Sequence, residues 1–200
     1  SKQTLSTLGQ TTEQSELGRS ADTSTIDISF LHNEPILFVE ISYVNIYIGT
    51  RTRVFTTISS STNSITGPTT PTDNPYWKQI TLSTSVIDDI RATQHHLIIS
   101  SNSNVIVFGR NSNGQLCTGT TSTLNVQSET LFTNVQRFTI SSSTSLFFDN
   151  GLNQFQFCGQ SPFVFSGQVT TKTSLVQPVP CANVKDIKAT FRAFIVLCQD

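Results

Sequence analysis

Methionine is absent from these 200 residues, alanine occurs only five times, and charged residues make up 12% of the chain. So few helix formers among so many β-branched residues exclude a helical bundle. Low charge combined with 14 Phe and abundant Ile and Val excludes a disordered chain. The formal net charge is −1, so no global field draws the protein to nucleic acid or to an anionic membrane, and neither contact is indicated. No apolar run approaches the roughly 20 residues of a membrane-spanning helix. The opening stretch SKQTLSTLGQ has no charged-then-apolar signal pattern. A chain without Met that opens on Ser1 suggests a segment of a longer protein. Thirteen Asn yield no N-x-Ser/Thr sequon, which favours an intracellular home, cytoplasmic or nuclear. Ser and Thr fill the space left by charge, at 56 of 200 positions. The composition reads as all-β.

Cysteine is scarce and widely spaced. Cys117, Cys158, Cys181 and Cys198 form no CxxC and have no paired His, so no zinc site is expected. Four Cys in a chain this long do not indicate a disulfide framework either. Cys158 and Cys198 lie in the apolar stretches FQFCG and FIVLC, where Cys is expected to act as a small buried hydrophobe. The densest basic groups are Arg51 with Arg53, and Lys185, Lys188 and Arg192, which read as solvated faces.

Self-similarity carries most of the information. DIRAT (Asp89 to Thr93) recurs as DIKAT (Asp186 to Thr190), an offset of 97, and LIIS from Leu97 is matched in type by FIVL from Phe194. VIVFG ending at Gly109 resembles FQFCG ending at Gly159, and SELGRS (Ser15 to Ser20) resembles GQLCTG (Gly114 to Gly119). All fall near one or two multiples of 50. The expected organisation is a single propeller domain or partial propeller of four units, approximately 1–50, 51–101, 102–150 and 151–200. SVIDDIRATQHHLII also has helical spacing, with Ser85 and Asp88 as a capping start. Its counterparts FVEISYVNIYIG and VQRFTISSSTSLFF are β-branched and aromatic, the second with a serine run suited to a β-turn. Strand is therefore expected over 86–98. Short strands in a unit of about 50 residues fit the blade of a β-propeller, whose faces are covered by stacked neighbours.

VIVFGRNSNGQLCTG (Val105 to Gly119) resembles the opening of the regulator-of-chromosome-condensation repeat. Phe108, Gly109, Asn111, Gly114, Gln115 and Leu116 fill that repeat's slots, and Cys117 stands where its last Gly is expected. Ala92, Thr93 and His96, followed by Leu97, Ile98 and Ile99, resemble its closing segment, with Thr in place of Gly. The resemblance implies a propeller, typically a seven-bladed ring of which these four units form part. It also implies a regulatory scaffold that binds a protein partner, the alternative being a guanine-nucleotide exchange factor for a small GTPase. It assigns no partner-binding residue. In the blade, Phe108 and Leu116 are expected between sheets, Gly109, Gly114 and Gly159 at sharp reversals or close approaches, and His96 as a hydrogen-bonded brace.

Catalytic motifs are missing. GRNSNG (Gly109 to Gly114) has the glycine spacing of a phosphate loop, but Gln115 stands where Lys is required, so it reads as a turn. No G-x-S-x-G, H-E-x-x-H or G-x-G-x-x-G occurs. Asp88-Asp89 and His95-His96 are adjacent pairs in a β region, where neighbours point to opposite faces. No catalytic, cofactor-binding or metal-binding residue is nominated. No cofactor and no small-molecule substrate are expected.

Overall fold

The computed structural model describes residues 5–6, 18, 25–59, 65, 69–83, 86–129, 132, 134–160, 169–170, 177–178, 183–190 and 193–199. Apart from a 3-10 turn at Ser29–Leu31, the regular structure among them is β. A short hairpin comes first, β1 (Leu5–Ser6) with β2 (Thr25–Ile26). Sheet I follows, with β3 (Phe38–Ile41), β4 (Ile46–Gly49), β5 (Val54–Thr57), β6 (Thr69–Pro71) and β7 (Trp77–Ile80) in the order β3-β4-β5-β7-β6. Sheet II is a meander of β8 (Asp89–Ala92), β9 (His96–Ser101), β10 (Asn104–Asn111) and β11 (Ser122–Glu129). Sheet III runs through β12 (Val135–Ser141), β13 (Thr144–Asp149) and β14 (Gln154–Gln160), with β15 (Val169–Thr170) and β16 (Gln177–Pro178) both on β14. The last hairpin is β17 (Val184–Ala189) with β18 (Phe194–Cys198). All pairings are antiparallel. Among the described residues no helix is long and apolar enough to cross a membrane.

The ambiguous segment is strand, as β8 and β9, with the register Ile90↔Ile99 and Arg91↔Ile98. Every inner hairpin turns on a hydroxyl residue: Ser42, Thr93, Ser141 and Thr190, spaced 51, 48 and 49 residues apart. The Asn45, His96 and Ala193 N–H groups donate to the side-chain oxygens of Ser42, Thr93 and Thr190 at 3.1, 3.2 and 3.0 Å. Ser141 Oγ and Thr144 Oγ1 close the third turn at 2.5 Å. A short hydroxyl that bonds its own turn favours this reversal. The unit boundaries near Thr50, Ser101 and Asn150 fall in the next turns along, β4–β5, β9–β10 and β13–β14.

Apolar layers lie between consecutive sheets. Tyr47, Val54, Ile65 and Ile80 of the first region meet Ile87, Ile90, Leu97, Ile99, Ile106 and Phe108 of the second. Ile98, Val105, Val107 and Leu116 meet Val135, Phe138 and Phe147. Leu146, Phe148, Phe155 and Phe157 meet Val184 and Ile187. Ahead of sheet I, Ile26, Phe30 and Leu31 cover Ile48, Phe55 and Trp77, with Phe30 stacked on Trp77 at 5.4 Å. Successive strand residues face opposite sides, so neighbours such as Leu97 and Ile98 serve different layers. This is propeller architecture, each blade's faces covered by its neighbours. Phe108 and Leu116 lie between sheets as expected, on opposite sides of sheet II.

Glycine is required at one repeated slot. Gly109 and Gly159 have φ +114° and +103°, and a Cβ there would collide with the His95 and Ser143 carbonyl oxygens. Position 117 shows the opposite substitution. Cys117 holds φ 59°, and Gly18, its counterpart at an offset of 99, holds φ 68°.

The cysteine expectations require correction. Cys117 and Cys158 form a disulfide, with Cα atoms 5.4 Å apart, and Cys198 is disulfide-bonded as well. Spacing along the chain concealed this because the partners, 41 residues apart, are brought together by packing of sheet II on sheet III. Cys181, Arg192 and most of SELGRS lie outside the described residues.

Candidate functional site

The first strands of successive sheets stand side by side: β8 packs against β3, and β12 against both β8 and β17. Radiating sheets approach most closely at the axis, so these four strands line the inner edge of the array. Three of them read DIRA, VQRFTIS and VKDIKA, with polar or charged residues beside each buried apolar one, and β12 and β17 carry a register shift after Val135 and Val184. The apolar residues Ile90, Phe138 and Ile187 enter the layers, and the intervening charges are left at the inner edge.

An open cleft of about 390 Å³ lies there, lined by Asp88, Asp89 and Arg91 at β8, Ser100 of β9, Gln136, Arg137 and Phe138 of β12, Lys185, Asp186 and Lys188 of β17, and Leu197 of β18. Arg91 bridges two carboxylates, Glu40 Oε1 of β3 at 3.2 Å and Asp89 Oδ2 at 3.0 Å. Lys188 Nζ lies 3.3 Å from Asp186 Oδ2. Burial pushes the Asp89 carboxyl above its usual range, opposed by the Arg91 guanidinium. Arg137 is held differently: Nε donates to the Lys185 carbonyl at 2.9 Å and NH1 to the Gln136 carbonyl at 2.8 Å. Among the described residues no carboxylate pairs with Arg137 or Lys185. The cleft is thus a mixed-charge surface with two cations not neutralised by a described acid.

Arg91 flanks buried Ile90 on its strand and, like a polar neighbour there, would face water; it is half-buried because β3 of the preceding sheet places Glu40 beside it. Lys188, its counterpart, has no later strand against it among the described residues and stays exposed. Lys185 and Lys188 do face solvent. The other basic pair is engaged, with Arg51 NH1 3.6 Å from Asp88 Oδ1 and Arg53 NH2 2.9 Å from Glu34 Oε1. Arg137, Asp186 and Glu40 went unnoticed in the sequence. The signal was there in part: DIRAT and DIKAT repeat an acid and a base four and two residues before the turn hydroxyl, so the charges recur at axial positions.

His96 is a brace. Fully buried, it meets Thr93 Oγ1 through Nδ1 at 3.0 Å and Ser145 Oγ of sheet III through Nε2 at 3.1 Å. Ser145 Oγ in turn donates to the Gln115 carbonyl at 2.7 Å. Burial lowers the imidazole pKa to about 3, helped by His95. His95 is half-buried on the opposite face, so the pair does not converge. GRNSNG ends β10 and turns, the Gly114 N–H donating to the Asn111 carbonyl at 3.1 Å.

Comparison with solved structures now bears on this geometry. Yeast RCC1 (Prp20), in its complex with Kap60, aligns with 93% of this chain and 48% of its own at TM-score 0.69 and 13% identity. Human WBSCR16 aligns with 82% of this chain and 44% of its own at TM-score 0.64 and 13% identity. Prp20p from Saccharomyces cerevisiae, in a study that also treats its binding to Gsp1p and histones, aligns with 84% and 44% at TM-score 0.58 and 13% identity. The chain has the RCC1-type propeller fold. It spans less than half the length of the RCC1-type structures it matches. No protein-family model matches the sequence, and no curated protein matches it.

Proposed function

We propose that this chain forms part of a regulatory propeller that binds a protein partner, and that the axial cleft between β8, β12 and β17 takes an acidic segment of that partner. The observation that carries the reading is Arg137. Its guanidinium is pinned by two main-chain carbonyls beside Lys185, in an open cleft, with no described carboxylate to neutralise either group. Arginine held in a fixed orientation is well suited to recognise carboxylates. The four units proposed from the sequence supply the rigid scaffold, and loops at the sheet ends supply further contacts.

A second reading, guanine-nucleotide exchange on a small GTPase, is supported by the likeness to Prp20p, whose study names Gsp1p and histones as binding partners. Nucleotide release from a panel of small GTPases separates the two. Acceleration at low micromolar protein overturns the passive scaffold. Binding without acceleration, weakened tenfold or more by Arg137→Glu, supports it. Absent sequons favour an intracellular setting and paired cysteines an oxidising one. Trapping of free thiols in freshly opened cells decides between the two settings.

A further inference from the structure

The sequence holds two Asn-Gly steps, Asn113-Gly114 and Asn150-Gly151. Such a step can react with itself: the backbone nitrogen of the glycine attacks the side-chain carbonyl carbon of the asparagine. Glycine favours the attack because it puts no Cβ in the way of the ring that forms. Sequence alone treats the two steps alike, and the structure separates them. Gly114 is buried with φ +74°, and its N–H donates to the Asn111 carbonyl at 3.1 Å. Asn113 is half-buried and its own N–H donates to Oε1 of fully buried Gln115 at 2.9 Å. The same turn is closed by Leu116 N–H on Asn111 Oδ1 at 2.8 Å and Cys117 N–H on the Gly114 carbonyl at 3.0 Å. Leu116 and Cys117 pack in the layer between sheets II and III, so this turn opens only if that layer loosens.

Asn150 and Gly151 begin the exposed turn between β13 and β14. The turn is anchored on either side of the reacting pair. Asn150 N–H donates to the Asn134 carbonyl at 3.1 Å, and Leu152 N–H donates to Asp149 Oδ1 at 3.0 Å. Between those anchors, neither the Asn150 side-chain amide nor the Gly151 N–H has a hydrogen-bond partner among the described residues. Nucleophile and electrophile are thus adjacent, wet and unengaged, on a turn whose ends are fixed.

We propose that Asn150 is a site of spontaneous deamidation and isoaspartate formation in the folded protein, and that the fold protects Asn113 from the same reaction. The Gly151 nitrogen bonds to Asn150 Cγ and the amide C–N bond breaks. The amide NH2 leaves as ammonia, carrying the proton lost from the Gly151 nitrogen. One water then opens the succinimide ring at either carbonyl, giving aspartate by one route and isoaspartate by the other. Solvent is the only co-reactant. Both products place a new carboxylate next to Asp149, which is buried and held by the Leu152 N–H and by Gln156 Nε2 at 3.1 Å, where like charge is unfavourable. Isoaspartate also adds a methylene to the main chain at the residue whose N–H ties this hairpin to Asn134, in the segment leading into β12. The modification is therefore an ageing step that acts on the β13–β14 turn. It is independent of the axial cleft and stands if no partner binds there.

The test is peptide mapping by mass spectrometry after incubation of the folded protein at about pH 8 and 37 °C, beside a sample unfolded in urea and dithiothreitol. In the folded protein the Asn150 peptide is expected to gain about 1 Da, as two separable products, at least about tenfold faster than the Asn113 peptide. That margin reflects the hydrogen bonds and the buried turn that Asn113-Gly114 must give up before reacting. In the unfolded sample the two peptides should react at rates within about threefold of each other. Gly151→Ala should slow the Asn150 reaction at least tenfold. It is tolerated because Gly151 is not left-handed and its nearest contacts are the side chains of Asn134 and Asp149. Equal rates at the two sites in the folded protein overturn the proposal. So does an Asn150 peptide that reacts only after unfolding, or an undiminished rate in Gly151→Ala with wild-type far-UV circular dichroism. The comparison of folded with unfolded wild type needs no variant.

Discussion

The hairpins β8–β9 and β17–β18 have nearly one sequence, DIRAT and DIKAT, followed by LIIS and FIVL, and they have one backbone. Both begin on a bulged strand or an Asp that bonds the next N–H: Asp89 Oδ1 accepts from Ile90 at 2.9 Å and Asp186 Oδ1 from Ile187 at 2.8 Å. Their surroundings differ. The first is enclosed by sheets I and III, while among the described residues the second is covered on one side only. Ile98 is consequently buried and its counterpart Ile195 exposed. Local sequence sets the hairpin, and neighbours set what each residue contributes to stability.

The largest expected effect tests that statement directly. Ile98→Ala leaves a cavity between sheets II and III and costs about 2–5 kcal/mol in chemical denaturation. Ile195→Ala in the same experiment, on the single chain at low micromolar concentration, costs under about 0.5 kcal/mol. Equal losses at the two positions would break the comparison.

Next is the covalent tie across the same layer. Reduction of Cys117–Cys158 opens a 41-residue separation and lowers stability by about 2–4 kcal/mol, since the cross-link no longer limits the unfolded chain. Melting with and without dithiothreitol, on the wild type and on Cys117→Ser with Cys158→Ser, separates this bond from the disulfide at Cys198.

Acid gives the third effect. His96 is neutral in the native state down to about pH 3, whereas the unfolded imidazole takes a proton near pH 6.5. Below pH 6.5 the unfolded state therefore binds the extra proton, and stability falls by about 1.4 kcal/mol per pH unit until pH approaches 3. Above pH 6.5 His96 adds no pH dependence. Urea melts at pH 7 and pH 5 should differ by about 2 kcal/mol more in the wild type than in His96→Gln. The counterpart position carries Ala193, so the second hairpin has no such sensitivity.

The smallest effect sharpens the comparison at the axis. Arg91→Ser removes bridges to Glu40 and Asp89 and costs about 1 kcal/mol. Lys188→Ser, which loses only an exposed contact with Asp186, costs under about 0.5 kcal/mol. Thermal melts at low and high salt should show the Arg91 difference shrinking as salt rises.

Much of this molecule follows from the sequence alone. The period of about 50, the alternation of Ile90 with Arg91, the glycine at 109 and 159 and the hydroxyl turns are local matters of backbone sterics and side-chain direction. They act within a few residues and leave a pattern in order. The helical spacing of Ile87, Ile90, Gln94 and Leu97 misleads only in one copy, and the other copies resolve it. The candidate site was far less legible. Arg137, Lys185 and Asp89 are distant in the chain, and only their axial slots in the repeat hint that they converge. Tertiary structure alone decided three things: that Cys117 meets Cys158, that Arg91 finds Glu40, and that Ile98 is covered while Ile195 is not. Each depends on which sheet stands next to which, and sheet packing is a relation between surfaces far apart in sequence that no short motif encodes.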